Sequence, residues 1–364
     1  MDPCGNAFGD TSQQTRAVIL GEGEVKMEEK MPLVSIIMSV YNEERYIQES
    51  LDSVLSQTLD NFELIIIDDC STDKTAEMIE GYHDSRIRLY RNKENQGLTK
   101  NLNNALRYCR GEYIARMDGD DICLPQRLEK QVQYMEEHQE KMLIGCRTQT
   151  FGEQNLVSRL PDHSEQLRIM MLLRPVLAHP SFMMRRRLVT EFGFYYDESF
   201  RSAQDYDFAQ RVSERFAIGI VPEVLLRYRT HKKQVSSKAS GEQYQNADRV
   251  RYRQLQALNV ELDKELETAY SAWAREERTG DIRLFLDASR VIEKICAGNR
   301  EIKKFPEKEL EDTLRRMLFT WMFRTKSFAV LKKAPLLCRK GKDYWILLST
   351  AVEIGWNKLK RDGR

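Results

Sequence analysis

Three carboxylates fall within four residues in the stretch Arg116-Met117-Asp118-Gly119-Asp120-Asp121, with a glycine between the first two. Carboxylates this close repel one another unless a cation or several hydrogen-bond donors sit among them. Hard oxygen ligands of this kind suit Mg²⁺ or Mn²⁺, above all an ion shared with a substrate phosphate. The same residue types also build acidic surface turns, so the cluster by itself leaves both readings open. Its setting speaks for the first. Glu112-Tyr113-Ile114-Ala115 reads as a strand leading into the cluster, and Pro125 suits the first turn of a helix beyond it.

The elements that must position the cluster begin at Val34. Val34 to Val40 reads as a buried strand ending at Tyr41-Asn42. Asn42 is the expected N-cap of a helix with Glu43 and Glu44 in its first turn and Ile47, Leu51, Val54 and Leu55 on its apolar face. Phe62 to Ile67 is a second apolar strand, ending in Asp68-Asp69, and Ser71, Thr72 and Asp73 offer caps for a helix through Ile79. A short strand from Ile87 to Tyr90, a helix carrying Leu98, Leu102, Ala105 and Leu106, and the strand Tyr113 to Met117 follow. A helix from Arg127 to Glu137 and a strand from Met142 to Cys146 continue the pattern. Strands and helices alternating through short connections make a parallel α/β sheet. Such sheets bind ligands beyond the carboxyl ends of their strands. Tyr41-Asn42, Asp68-Asp69 and Asp118 to Asp121 are therefore expected along one edge.

Composition narrows the class. A chain of 364 residues with 31% charged residues and a net charge of +1 gives no global argument for a nucleic-acid partner. Seven cysteines without a C-x-x-C pair fit reduced thiols rather than a disulfide framework or a zinc site. No apolar run is long enough to span a bilayer, and no secretory signal is evident, so the cytoplasm is the expected location. Residues 1–31 read as a flexible polar leader, and Gly21-Glu22-Gly23, with no strand before it and no third glycine, is not a dinucleotide loop. The region 150 to 235 is less regular. It contains His179-Pro180, which shapes a loop, and Tyr195-Tyr196, for which core packing is the first expectation. Beyond about 240 the pattern turns helical and charged.

The last fifty residues have a charge balance of their own. From Arg315 to Arg364 there are thirteen basic residues against three acidic ones. Trp345, Leu348, Val352 and Leu359 fall on one helical face, with Trp356 near its edge. A basic amphipathic helix with Trp suits the surface of an anionic membrane, on the inner face for a cytoplasmic protein. It equally suits docking onto the α/β domain or a partner subunit.

Taken in order, five pieces resemble a family 2 glycosyltransferase with the GT-A fold: Val34 to Asn42, Ile65 to Thr75, Asn95-Gln96-Gly97 with Lys100 and Asn103, Tyr113 to Leu128, and Gln204 to Arg211. The resemblance spans roughly residues 32 to 235. It implies a Rossmann-like mixed α/β sheet over 32–238, with a nucleotide-sugar half (32–147) and an acceptor half (148–238); the helical basic extension over 239–364 lies outside the resemblance and is read from its own pattern. It further implies that Asp69 accepts a base N–H, uracil first among the candidates, with Tyr41 and Glu43 near the same ring or ribose. Asp118 would lie by the ribose, Asp120 and Asp121 would hold Mn²⁺ or Mg²⁺ against the diphosphate, and Lys100 and His231 would approach the phosphates or the metal. A solvated helix charge for Lys100 and an ordinary surface histidine for His231 are the plainer alternatives. The family's catalytic carboxylate pair corresponds to Gln204-Asp205, which makes Asp205 the candidate base and Asp207 the second choice. The implied reaction is inverting transfer from a nucleoside-diphosphate sugar, a UDP-sugar first, to a saccharide or lipid-linked acceptor in surface-glycan assembly. A noncatalytic sugar-nucleotide- or glycan-binding homologue, acting as a partner in an assembly complex, is the alternative. A nucleotidyltransferase ranks last, because Tyr41-Asn42-Glu43-Glu44 stands where a Gly-rich basic loop would be needed.

Overall fold

The computed structural model describes residues 17–20, 24–27, 31–231, 241–325, 337–338 and 341–361. Within the leader, β1 (Ala17–Leu20) and β2 (Glu24–Met27) pair antiparallel. A strand therefore does precede residues 21–23, but it returns as a hairpin rather than entering a helix.

The main sheet is built on β3 (Val34–Val40), β4 (Phe62–Asp68), β5 (Ile87–Arg91) and β6 (Tyr113–Asp118), which pair in parallel in the order β5-β4-β3-β6. Beyond them β7 (Ile122–Cys123), β8 (Lys141–Gly152), β9 (Met183–Arg185) and β10 (Ala217–Thr230) complete an eight-stranded sheet, ordered β5-β4-β3-β6-β9-β8-β10-β7. β9 runs antiparallel to β6 and β8, and β7 antiparallel to β10, so the sheet is mixed.

Both faces of the central strands are covered, which is why β3 and β4 read as nearly unbroken apolar runs. Side chains alternate between two cores: Ile37, Ile65, Ile67 and Ile114 point into one, Ile36, Met38, Leu64 and Ile66 into the other. Each fully buried Ile is worth roughly 1.5–3 kcal/mol, so a one-residue register slip is strongly disfavoured. Glu63 interrupts the apolar run of β4 yet is buried. Its carboxylate accepts from Ser35 Oγ (2.7 Å), Arg88 (2.8 Å) and Arg110 Nε (3.0 Å). Burial opposes its ionisation, but these donors outweigh burial and hold it below the usual carboxylate range.

The second core is shared with α1 (Ile47–Leu55), α2 (Thr75–Glu80) and α4 (Arg127–Glu137), and α3 (Leu98–Tyr108) lies in the first. Two local expectations are corrected. Asn42 does not cap α1, which starts five residues later. It sits at φ 56°, and its side-chain oxygen accepts the Thr72 N–H at 2.8 Å. Asn tolerates this left-handed conformation and here ties two strand ends together. Pro125 also precedes α4, whose first residue is Arg127, and its carbonyl accepts the Thr58 N–H instead.

Among the described residues, α5 (Ser164–Met170), α6 (Arg187–Thr190) and α7 (Gln204–Ser213) are followed by α8 (Gly241–Gln256), α9 (Lys264–Ala274), α10 (Ile282–Ile302), α11 (Glu307–Arg324) and α12 (Gly341–Arg361). Leu255, Phe285 and Leu314 from these helices share one core with Leu167, Leu172 and Phe208. Gln254 donates to the Met171 carbonyl at 2.7 Å, and the Tyr270 hydroxyl donates to the Leu172 carbonyl. The helical region is thus packed onto the sheet domain through the segment after α5. Tyr196 is buried and stacks on Phe208 at 4.5 Å, the core role expected of it.

Candidate active site

Strand register delivers the acidic groups to one edge. Val40 pairs with Asp68 and Ser39 with Asp118, so the ends of β3, β4 and β6 lie level, and the Asp69 N–H donates to the Val40 carbonyl at 2.9 Å. Gly119 is required where it stands: a Cβ there would lie 2.9 Å from Val40 Cγ1. Packing the turn against β3 brings ligand atoms of Asp118, Asp120 and Asp121 within 4.8 Å of one another.

Each carboxylate has a different environment. The buried Arg116 guanidinium grips Asp118 through both of its terminal nitrogens, and Ser50 Oγ of α1 donates to the Asp118 carbonyl at 2.9 Å. Burial pushes the Asp118 carboxyl up, Arg116 opposes it, and the charges of Asp120 and Asp205 add to the rise. Asp120 faces His231, with Oδ2 to Nε2 at 3.1 Å. Asp121 is almost fully buried: one oxygen accepts the Arg229 N–H at 2.8 Å, and the other, Oδ2, has no hydrogen-bond partner among the described residues. Burial, then Asp118 and Asp120, drives the Asp121 carboxyl well above its ordinary range. An orphaned buried carboxylate oxygen beside two further carboxylates is a donor set that a hard divalent cation fits.

Glu43 belongs to this cluster. Its Cγ lies 3.5 Å from where a Gly119 Cβ would be, and burial, followed by Asp120, Asp118 and Asp73, raises its pKa from 4.5 to about 8. Between those two values the folded chain keeps a proton that the unfolded chain has lost. Without metal, the contribution of Glu43 to stability therefore falls as pH rises through that window. Glu43→Gln is expected to flatten this slope and raise the melting temperature at the alkaline end. A slope unchanged in chelator-treated protein would place its origin elsewhere.

Asp69 is buried and already engaged. Oδ1 accepts from Asn92 Nδ2 and the Gln96 N–H, both at 2.8 Å, and Oδ2 accepts the Gly97 N–H at 2.9 Å. Burial would raise its pKa, but these donors, with Asn101, outweigh it and hold the carboxyl low. Gly97 sits at φ 85°, which lets the chain turn into α3 with that N–H aimed at Asp69. Tyr41 is exposed at the end of β3, and Lys100 is exposed on the first turn of α3.

Asp205 is the second residue of α7, entered through Ala203 at φ 59°. The segment before it is held to α3, where Asn103 and Tyr196 exchange bonds at 3.0 and 2.9 Å and Thr99 Oγ1 donates to the Phe200 carbonyl at 2.8 Å. Half-buried Asp205 lies within reach of the Arg116 and Asp118 charges. Burial raises its pKa, against the pull of the Tyr206 N–H and Arg116. Asp207 is occupied otherwise: it is fully buried and binds Arg211 at 2.7 Å and Arg253 at 2.8 Å, joining α7 to α8. Those ion pairs remove it as the second choice for the base. His179 is buried with Nε2 2.9 Å from the Tyr196 hydroxyl, and burial and Arg116 keep it neutral.

Similarity to known proteins now bears on this edge. A model of "Glycosyl transferase family 2" matches residues 35–193. An uncharacterized glycosyltransferase of Haemophilus influenzae is 33% identical over 237 residues, covering 61% of this chain and 73% of its own. The O-antigen biosynthesis glycosyltransferase WbnJ of Escherichia coli is 33% identical over 219 residues, covering 57% of this chain and 84% of that protein. This chain belongs to glycosyl transferase family 2. The crystal structure of S. aureus TarS 1-349 in complex with UDP-GlcNAc superposes with a TM-score of 0.53 at 19% identity, covering 81% of this chain and 92% of that one. The likeness shows the same GT-A fold.

In this family 2 glycosyltransferase, two arginines near the acidic turn escaped the sequence reading. Arg116 was visible only as a cation inside an apolar strand. Arg229 binds the turn from β10: its Nε donates to the Asp120 carbonyl at 2.6 Å, and its guanidinium lies 4.5 Å from the Tyr46 ring centroid and 4.4 Å from that of Phe151. The place of Arg229 two residues before His231 in the sequence is the only local hint of that role.

Proposed function

We propose that this family 2 glycosyltransferase moves a sugar from a nucleoside-diphosphate sugar, a UDP-sugar in the first place, to the hydroxyl of a saccharide or lipid-linked acceptor, with inversion and with a divalent ion. The observation that carries this reading is the meeting of Asp118, Asp120 and Asp121 at one strand edge, with Asp205 close enough to feel the same Arg116. The S. aureus TarS complex with UDP-GlcNAc supports the choice of donor class, and the O-antigen biosynthesis named for WbnJ supports polysaccharide assembly.

Each group then has a task. Asp120 and Asp121, with His231 beside Asp120, hold the ion, Mn²⁺ or Mg²⁺, which when bound neutralises charge on the departing nucleoside diphosphate. Asp118, fixed by Arg116, orients the ribose. Asp69 retains one lone-pair site on Oδ2 for a base N–H, Tyr41 covers the base, and Lys100 attracts phosphate. Asp205 takes the proton of the acceptor hydroxyl as its oxygen bonds to the anomeric carbon and the bond to the leaving phosphate oxygen breaks.

Calorimetric titration with UDP, with and without Mn²⁺, tests the donor half of this reading. Metal-dependent binding is the expected result. Binding only to another nucleoside diphosphate would replace uracil, and no binding to any would favour the noncatalytic homologue.

A further inference from the structure

The last helix has two faces, and the fold uses one. On α12, Asp343, Ile346 and Thr350 are buried, and the helix is fastened to α11 by Arg315–Asp343 (3.5 Å), Lys342–Glu311 (2.8 Å) and Lys342–Asp312 (3.0 Å). Trp345, Leu348 and Val352 are 76%, 57% and 69% exposed. At about 100° per residue the two sets lie roughly 160° apart around the helix axis. Docking onto α11 therefore leaves the tryptophan face outward. The side chains of Trp356 and Leu359, which continue that face in the sequence pattern, lie outside the described residues.

We infer that the Trp345–Leu348–Val352 face of α12 seats the protein on an anionic lipid bilayer. Three large apolar side chains held in water at helical spacing on a charged surface lose free energy until something covers them. The charge of this stretch selects the cover: apart from Lys342 and Asp343, which fasten the helix to α11, residues 339–361 carry five basic residues against one acidic one, in a chain whose net charge is only +1. Arg339 and Lys340 immediately precede the helix in sequence, and Lys358, Lys360 and Arg361 fall at its end. Basic residues at both ends of an apolar face suit anionic headgroups around a shallow hydrophobic insertion, and tryptophan favours that interface. No helix among the described residues is long and apolar enough to cross a membrane, so the contact is with the surface. This inference rests on α12 and the basic residues at its two ends, and stands or falls apart from the donor assignment.

The test is sedimentation of the full chain with vesicles of phosphatidylcholine, alone and mixed with phosphatidylglycerol. Binding to the mixed vesicles only, weakened by salt, is expected. The triple variant Trp345→Gln, Leu348→Gln, Val352→Gln, which changes exposed positions, is expected to lose about tenfold or more of that binding while melting and UDP titration match the parent. Failure to bind the mixed vesicles, or equal binding by the triple variant, would overturn the inference. So would self-association of the parent that the variant abolishes, because the face would then be covered by a second copy.

Discussion

Asp120→Asn is expected to abolish metal-dependent donor binding and to lower sugar transfer at least about a hundredfold, while leaving the fold intact. The sign of its stability effect separates this from general damage. Without metal, the Asp120 charge raises the pKa of Asp118, Asp121 and Glu43, so it repels all three. A neutral amide of the same shape relieves that repulsion and can keep the 3.1 Å contact with His231. The metal-free variant should therefore melt no lower than the parent, yet gain nothing from added Mn²⁺. Thermal melts with and without Mn²⁺, paired with UDP titration, read both effects. Retained Mn²⁺-dependent UDP binding would remove the metal from Asp120.

Why the acidic edge was legible, and its supports were not, follows from the reach of each signal. Asp69 and Asp118 each follow an apolar run, and a run of that length states where a strand ends without reference to anything distant. Arg229 acquires its role because β10 pairs with β7 across about a hundred residues, which no local pattern encodes. Arg116 and Asp118 lie two residues apart on one face of β6, so their pairing is local, but an apolar strand pattern does not say that a buried cation and a strand-end carboxylate bind each other. Glu43 was readable as a helix-start carboxylate. Its placement among the acidic groups depends on Gly119 letting that turn press against β3. For Asp205, resemblance rather than periodicity singled it out. What the fold adds is the contrast with Asp207, two residues away and already paired with Arg211 and Arg253.

That contrast sets the second large effect. Asp205→Asn should bind donor as the parent does and lose roughly a hundred- to ten-thousandfold in transfer, the range for removing a general base. Its folded-state pKa is raised above the ordinary 3.8, so ionised Asp205 costs stability once the pH passes that value. The amide removes this cost, and the variant should be at least as stable as the parent at neutral pH. Transfer by the parent should rise with pH through the raised pKa, giving an acidic limb above the usual carboxylate range, and Asp205→Asn should lack that limb. Asp207→Asn should behave in the opposite way. It weakens two ion pairs on a fully buried carboxylate and should lower stability by about 2 kcal/mol, discounted for the partial exposure of both arginines, with the acidic limb preserved. Substantial transfer by Asp205→Asn, with its acidic limb intact, would assign the base to another group.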